Sequence, residues 1–206
     1  MPQLPQNPEL NHERAERLPL LAPTPPDWTA TVLTGFDAFL LDHASCERKA
    51  AMLCMSLVAQ YGDRPFLVEP LVTLAREELD HFQQVYRLLA ARGLVLGQDA
   101  KDPYVNELLK AARSGPLERL LDRLVLSALI EARGCERFGL LADALVEPSL
   151  KAFYAMLARA EAGHFRVFTR IAERFFPTPE VAAALARLAP VEAQVMLASP
   201  FRHALH

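Results

Sequence analysis

The sequence predicts an all-α protein in which four long helices form a bundle with one long crossover connection. Leu, Ala, Glu and Arg dominate the 206 residues, whereas Gly is low at 8, and this composition favours helices. Apolar residues recur at helical spacing, and strand-like alternation never exceeds a few residues. With 51% hydrophobic residues, the chain can bury a sizeable core.

Proline and glycine set the predicted boundaries in chain order. Residues 1–27 carry seven prolines and are predicted to form an N-terminal arm, with residues 28–206 as the bundle domain. Helices are expected over 29–61, 65–92, 104–113, 116–146, 148–176 and 180–198, the last broken or kinked at Pro190. Short turns join the first two long helices and the last two, so each pair is antiparallel, and a longer crossover connects the pairs.

Charge and cysteine content restrict the class of protein. The formal net charge of −3 does not by itself indicate a nucleic-acid partner. No apolar run approaches the ~20 residues that span a bilayer, and the N-terminus lacks the basic start and apolar stretch of a signal peptide. Three cysteines without a CxxC motif predict reduced thiols. We therefore expect a cytoplasmic protein with no membrane partner.

Two short segments place a glutamate and a histidine on the apolar stripe of a helix. "REELDHF" contains Glu78 and His81, and "RAEAGHF" contains Glu161 and His164. Residues i and i+3 lie about 60° apart around a helix, so each pair can point at one centre.

The other two long helices each add a glutamate to the buried stripe. Glu47 and Glu78 lie at equal distances from the first turn, and Glu131 and Glu161 from the second, so all four share one level of the bundle. Glu136 is the alternative on the third long helix, but two aspartates lie on its stripe, and Glu131 is favoured. His43 and Tyr154 also face the core and are expected to be packing residues, with a role beside the site as the alternative.

Four carboxylates in an apolar interior repel one another and lose solvation. Two divalent cations would balance them, and Glu, Glu-x-x-His, Glu, Glu-x-x-His is the ligand set of di-iron and di-manganese bundles. Hard oxygen ligands with one nitrogen per metal suit iron or manganese, whereas zinc prefers a closed tetrahedron. The predicted metal ligands are Glu47, Glu78, His81, Glu131, Glu161 and His164.

The segments "HASCERKAAML", "LAREELDHFQQVYRLLAARG", "LIEARGCERFGLLA" and "RAEAGHFRVF" together resemble the ferritin-like tRNA hydroxylase family. The resemblance covers about residues 30–176 and implies a ferritin-like bundle with the same six ligands. It implies a di-iron monooxygenase that hydroxylates the isopentenyl group of 2-methylthio-N6-isopentenyladenosine beside the anticodon of tRNA. Two iron ions, O2 and electrons from an external reductase would be required.

Further expectations concern the substrate pocket, the RNA contacts and the alternatives. Ala50 and Ala128 are hypothesised to leave room for the prenyl chain. Two basic groups could contact RNA phosphates, or could be ordinary solvated charges: Arg48, Lys49, Arg133 and Arg137, and Arg87, Arg92, Lys110 and Arg113. The alternatives are a ferritin-type iron oxidase and store, another di-iron oxygenase with a small apolar substrate, and a non-enzymatic helical scaffold. A monomer or dimer is expected rather than a cage.

Overall fold

The computed structural model describes residues 18–99 and 101–206, in which seven α-helices and no strands occur. The helices are α1 (Pro26–Thr34), α2 (Phe36–Gln60), α3 (Pro65–Ala91), α4 (Pro103–Lys110), α5 (Pro116–Ala144), α6 (Pro148–Phe175) and α7 (Thr178–Ala198). The all-α prediction is confirmed. Residues 1–17 of the predicted arm lie outside the described residues, and the boundary between residues 27 and 28 stays a prediction.

Two helical hairpins form the bundle. α2 packs along α3 and α5 packs along α6, while the segment between α3 and α5, which contains α4, connects the hairpins. α7 packs against α5 and α4. The predicted bundle with one long crossover is therefore the observed architecture.

Helix ends follow the residues that were expected to define them. α3, α4, α5 and α6 each have proline in the first turn, where its missing N–H has no helical partner to lose. Gly93, after α3, has a φ of 71°, the left-handed conformation that glycine tolerates at the end of a helix. The long helices consequently end within two residues of their predicted positions.

The first predicted helix is divided at Gly35 into α1 and α2, so its prediction as one helix was wrong. A Cβ atom at residue 35 would lie 2.5 Å from Cγ of the His203 ring. Glycine therefore permits the close approach of the C-terminal segment at this break. The last helix, in contrast, begins at Thr178 and continues through Pro190, so the predicted break there does not occur.

α7 has the length and mean hydropathy, 1.4, of a segment that could cross a membrane, and is the one such helix in the described parts of the chain. In the structure it buries Leu188, Ala189 and Met196 against the bundle. It also carries Glu192, which is fully buried in an ion pair with Arg133.

Candidate metal centre

Each of the four long helices contributes a glutamate to one buried layer. Glu47 is on α2, Glu78 on α3, Glu131 on α5 and Glu161 on α6, and each is at most 8% exposed. All four line one cavity. The structure therefore brings together the carboxylates that the spacing predicted.

The two histidines complete the layer. Ligand atoms of Glu78, His81, Glu161 and His164 all lie within 4.8 Å of one another. His164 Nδ1 is 2.8 Å from Glu78 Oε1 and 3.4 Å from Glu161 Oε2. His81 Nδ1 lies 3.6 Å from Glu47 Oε2. The six predicted residues thus form one cluster, and their role as ligands is taken up below as a proposal.

Several atoms at the centre of the cluster lack hydrogen bonds. Glu78 Oε1, His81 Nδ1 and His164 Nδ1 are buried without a hydrogen-bond partner, although two of them lie 2.8 Å apart. Their contact is close but misaligned for a hydrogen bond. Leaving such groups unsatisfied costs about 1–3 kcal/mol each. Cations at this position would satisfy them, so the donor set fits a metal centre.

The electrostatics of the cluster also favour a cation. Burial raises the pKa of Glu78 and of Glu131 well above the usual range, and neighbouring carboxylates raise both further. Burial also raises the pKa of Glu161. Although burial acts in the opposite direction on His164, Glu161 and Glu78 raise its pKa to about 12. In the absence of a metal the layer would hold protons, which is the state that cations replace.

An exposed carboxylate fixes the orientation of His164. Its Nε2 lies 3.1 Å from Oε2 of Glu77, a half-exposed residue of α3. Because a carboxylate only accepts, Nε2–H of His164 donates to Glu77, and Nδ1 faces the cluster, where its lone pair would be available to a cation that displaces its proton. The sequence analysis missed Glu77, since on a helix it is indistinguishable from an ordinary solvated glutamate.

His43 and Tyr154 form a hydrogen-bonded chain that ends at Glu47 of the cluster. His43 Nε2 lies 2.6 Å from Glu47 Oε1, and His43 Nδ1 lies 3.2 Å from the Tyr154 hydroxyl. Burial opposes ionisation of Glu47, but the hydrogen bond from His43 and the nearby imidazole of His81 outweigh it and lower its pKa. Nε2–H of His43 therefore donates to Glu47, and Tyr154 donates to Nδ1. The expectation that both rings merely pack was wrong.

Glu136, the alternative to Glu131, faces away from the cluster. It accepts hydrogen bonds from Thr24 and Arg133 on the opposite face of α5.

The placement of Arg133 and Arg137 among candidate RNA contacts was wrong. Arg133 is 0% and Arg137 3% exposed, because α7 and the terminal segments cover this face of α5.

A cavity of about 180 Å³ extends from the carboxylate layer. Its wall comes from α2, α4, α5 and the C-terminal residues, and is mainly apolar, with Leu53, Leu126, Ile130 and Phe138 among its residues. Ala50 lines the cavity, as hypothesised. Ala128 does not, since it packs into the apolar core, and that part of the hypothesis was wrong.

A helical bundle whose core holds four glutamates and two histidines in this arrangement belongs to the class of ferritin-like carboxylate proteins. Residues 13–206 match the family described as tRNA-(MS[2]IO[6]A)-hydroxylase (MiaE). The chain belongs to this family, and the resemblance identified from the sequence is confirmed.

Two relatives carry the name tRNA 2-(methylsulfanyl)-N(6)-isopentenyladenosine(37) hydroxylase. The protein of Pseudomonas putida is 38% identical over 160 residues, which are 78% of this chain and 78% of the relative. That of Salmonella typhimurium is 29% identical over 232 aligned residues, covering 89% of this chain and 85% of the relative.

A solved structure from Synechococcus, described as protein 43 with aldehyde deformylating oxygenase activity, shares the fold. Its TM-score is 0.87 at 36% identity, with 92% of this chain and 96% of that chain covered. The ferritin-like fold predicted from the sequence is therefore confirmed.

Proposed function

We propose that this chain is a di-iron monooxygenase that hydroxylates the isopentenyl group of 2-methylthio-N6-isopentenyladenosine in tRNA, next to the anticodon. The observation that carries the proposal is the layer of buried, unsatisfied carboxylate and imidazole atoms at the inner end of an apolar cavity. Membership of the tRNA hydroxylase family supports the substrate.

The proposed ligands of the two iron ions are the six clustered residues, namely Glu47, Glu78, His81, Glu131, Glu161 and His164. When bound, the iron supplies reductive activation of O2 and transfer of one oxygen atom to a C–H bond. Oxygen and nitrogen donors in this ratio suit iron, and manganese by the same criterion. Glu77 and the His43–Tyr154 pair hold His164 and Glu47 in the orientations that metal binding needs.

The protein's own contribution is a mainly apolar pocket of the right size. An apolar cavity of ~150 Å³ holds a benzene molecule, so about 180 Å³ suffices for the five-carbon isopentenyl group. The apolar wall excludes water from the reacting carbon. The purine and ribose would stay outside at the mouth, where the rest of the RNA is accommodated.

The remaining partners follow from this reaction. One oxygen atom of O2 enters the product and the other becomes water, so two electrons and two protons are consumed. We propose that an external reductase supplies the electrons, and that the protein acts in the cytoplasm, where its tRNA substrate occurs, as a monomer or dimer.

Anaerobic iron loading, followed by O2, a chemical or enzymatic reductant and prenylated tRNA, tests the function. We expect about two iron ions per chain and a prenylated nucleoside heavier by one oxygen atom, measured by nucleoside mass spectrometry. Iron binding without oxygen insertion into the RNA would contradict the proposed substrate. Less than one iron per chain would contradict the metal centre as well.

An aldehyde is the second candidate substrate, because the Synechococcus relative is described by such an activity. This is the earlier alternative of a di-iron oxygenase acting on a small apolar molecule, and the same cavity would hold it. The iron-loaded protein should therefore be supplied with an aliphatic aldehyde in parallel. Release of formate from the aldehyde, with unmodified RNA, would favour this candidate.

A further inference from the structure

Arg123 on α5 is a half-buried cation in the wall of the cavity. Its Nη1 donates to Oε1 of Gln60 at 2.7 Å, which is a neutral partner. Within residues 18–99 and 101–206, no carboxylate forms an ion pair with Arg123. Arg48, Arg92, Arg113 and Arg187, in contrast, each pair with an aspartate. Arg123 is thus a partly desolvated positive charge whose counter-charge the described part of the chain does not supply.

Two further cations share either the cavity wall or the helix face with Arg123. Lys49 on α2 lines the same cavity, and Arg119 lies one helical turn before Arg123 on α5. Burial lowers the pKa of Arg123, and the charge of Arg119 lowers it further. The repulsion between Arg119 and Arg123 is relieved by an anion that enters from outside.

The position of these cations in the cavity wall indicates which class of anion they bind. The cavity extends from the buried carboxylates to Leu109, which is 43% exposed and marks the solvent side. Lys49 on α2 and Arg123 on α5 both line this cavity and are partly exposed. If a prenyl group occupies the cavity, its adenine base lies at the opening, and only the ribose separates that base from each flanking phosphate. A guanidinium there can donate two parallel hydrogen bonds to a phosphate.

We propose that Arg123, together with Lys49 on α2, binds the RNA backbone phosphates on either side of the nucleotide whose prenyl group enters the cavity. This interaction surface deepens the proposed function and rests on it. It replaces Arg133 and Arg137, which are buried, as the candidate contact. It also selects Lys49 from the basic groups named in the sequence analysis, and adds Arg123, which was not among them.

Salt-dependent RNA binding tests the surface independently of turnover. The probe is an anticodon stem-loop RNA that carries the prenylated adenosine, titrated against the iron-loaded protein at several salt concentrations. We expect Arg123→Gln to weaken binding about tenfold at low salt, because one charge-assisted contact is lost. The slope of log K against log salt should fall by about 0.7 for each lost single-strand phosphate contact. Arg123→Lys should restore the slope but only part of the affinity.

The matched control is Arg170→Gln, which removes an equal charge from an exposed position of α6 outside the cavity wall. It should leave affinity and slope unchanged. Lys49→Gln provides a second variant, and should lower the slope as well. Iron content, measured on every variant, verifies that the bundle remains folded.

The outcomes separate this inference from the function on which it rests. Affinity and slope of Arg123→Gln and Lys49→Gln that equal those of Arg170→Gln would overturn the phosphate contact, even if the unmodified chain hydroxylates RNA. Failure of the unmodified chain to hydroxylate RNA would instead defeat the proposed function, and the comparison of slopes would still decide whether Arg123 and Lys49 bind phosphate.

Discussion

Two buried clusters of charged residues lie on opposite faces of α5, and they differ in how well they are satisfied. On one face, Glu131 joins the carboxylate and imidazole layer, in which three buried atoms lack hydrogen-bond partners. On the other face, Arg133 donates to both oxygens of Glu192, at 2.8 Å and 2.9 Å. Tyr104 also donates to Glu192, at 2.8 Å.

The difference separates a structural network from a ligand site. In the Arg133 network, cations and carboxylates are matched within the chain, and the network joins α5 to α7 and the N-terminal segment. In the carboxylate and imidazole layer, which we propose to bind metal and call the metal layer, four carboxylates share two imidazoles, and a cation from outside would balance the remaining charge. A buried polar cluster that the chain leaves incomplete is therefore the better candidate for ligand binding.

Replacing Glu78 by leucine should have the largest effect. Glu78→Leu removes a central carboxylate, so we expect loss of at least one iron ion per chain and a fall in hydroxylation of about 10³-fold or more. The metal-free protein should not lose stability, because a carboxyl group that burial keeps protonated is exchanged for an apolar group of similar volume, while Glu161 still faces His164. Iron analysis and thermal unfolding of the metal-free protein measure the two effects. A clearly lower Tm of the metal-free variant would contradict the view that this layer is unsatisfied.

The same substitution in the other cluster should act in the opposite way. Glu192→Leu leaves the fully buried Arg133 without its principal partner, and this should lower the free energy of unfolding by about 3–5 kcal/mol. Chemical denaturation of the metal-free protein measures it. Iron content of the folded fraction should stay unchanged, since the network does not contact the metal layer. A Glu192→Leu variant as stable as the parent would remove the distinction between the clusters.

The carboxylates of the proposed metal layer should make the stability of the metal-free protein depend on pH. Glu78 and Glu131 have pKa values raised above the ordinary 4.5, so the native state keeps protons that the unfolded chain releases. Stability should therefore decline as pH rises above about 4.5, by ~1.4 kcal/mol per pH unit for each proton. His164, raised from 6.5 to about 12, acts in the same direction above pH 6.5.

Glu47 does not cancel this trend. Its pKa is lowered, so its own contribution is lost only as pH falls below 4.5. Iron loading replaces the protons of the layer and should flatten the dependence. Tm values of metal-free protein recorded from pH 6.5 to pH 8, above the range in which His206, whose pKa desolvation lowers to about 4, changes stability, test this. A rise in Tm across that range would show that the carboxylates are ionised without a metal.

Glu77 connects the metal layer to solvent, and its removal should weaken the layer by an intermediate amount. Glu77→Ala frees Nε2 of His164, and loss of such a contact typically lowers metal affinity about 10–100-fold. Competition with an iron chelator measures the change. Glu69→Ala, at an exposed position of the same helix, is the control and should bind iron as the parent does. Equal affinities for the two variants would show that Glu77 does not orient His164.

The two clusters also differ in how far the sequence predicts them. Glu78, His81, Glu161 and His164 follow from helical spacing, and Glu47 and Glu131 from equal distances to the turns, because both depend only on the helix period and short connections. The burial of Arg133 depends instead on where α7 and residues 18–25 pack. The break at Gly35 depends on the distant His203. Such contacts between remote segments have no local signal.

Filling the cavity should have the smallest of these effects and should leave the metal layer intact. Ala50 lines the cavity, and Ala50→Leu would occupy part of its 180 Å³ without removing a ligand. We expect hydroxylation of prenylated RNA to fall about tenfold, since a misplaced substrate loses near-attack geometry, while iron content stays the same. Met52→Leu, which changes an exposed side chain on the same helix, should leave both unchanged. Full turnover by Ala50→Leu would show that the prenyl group enters elsewhere, whereas loss of iron would show that the wall and the ligands are not separable.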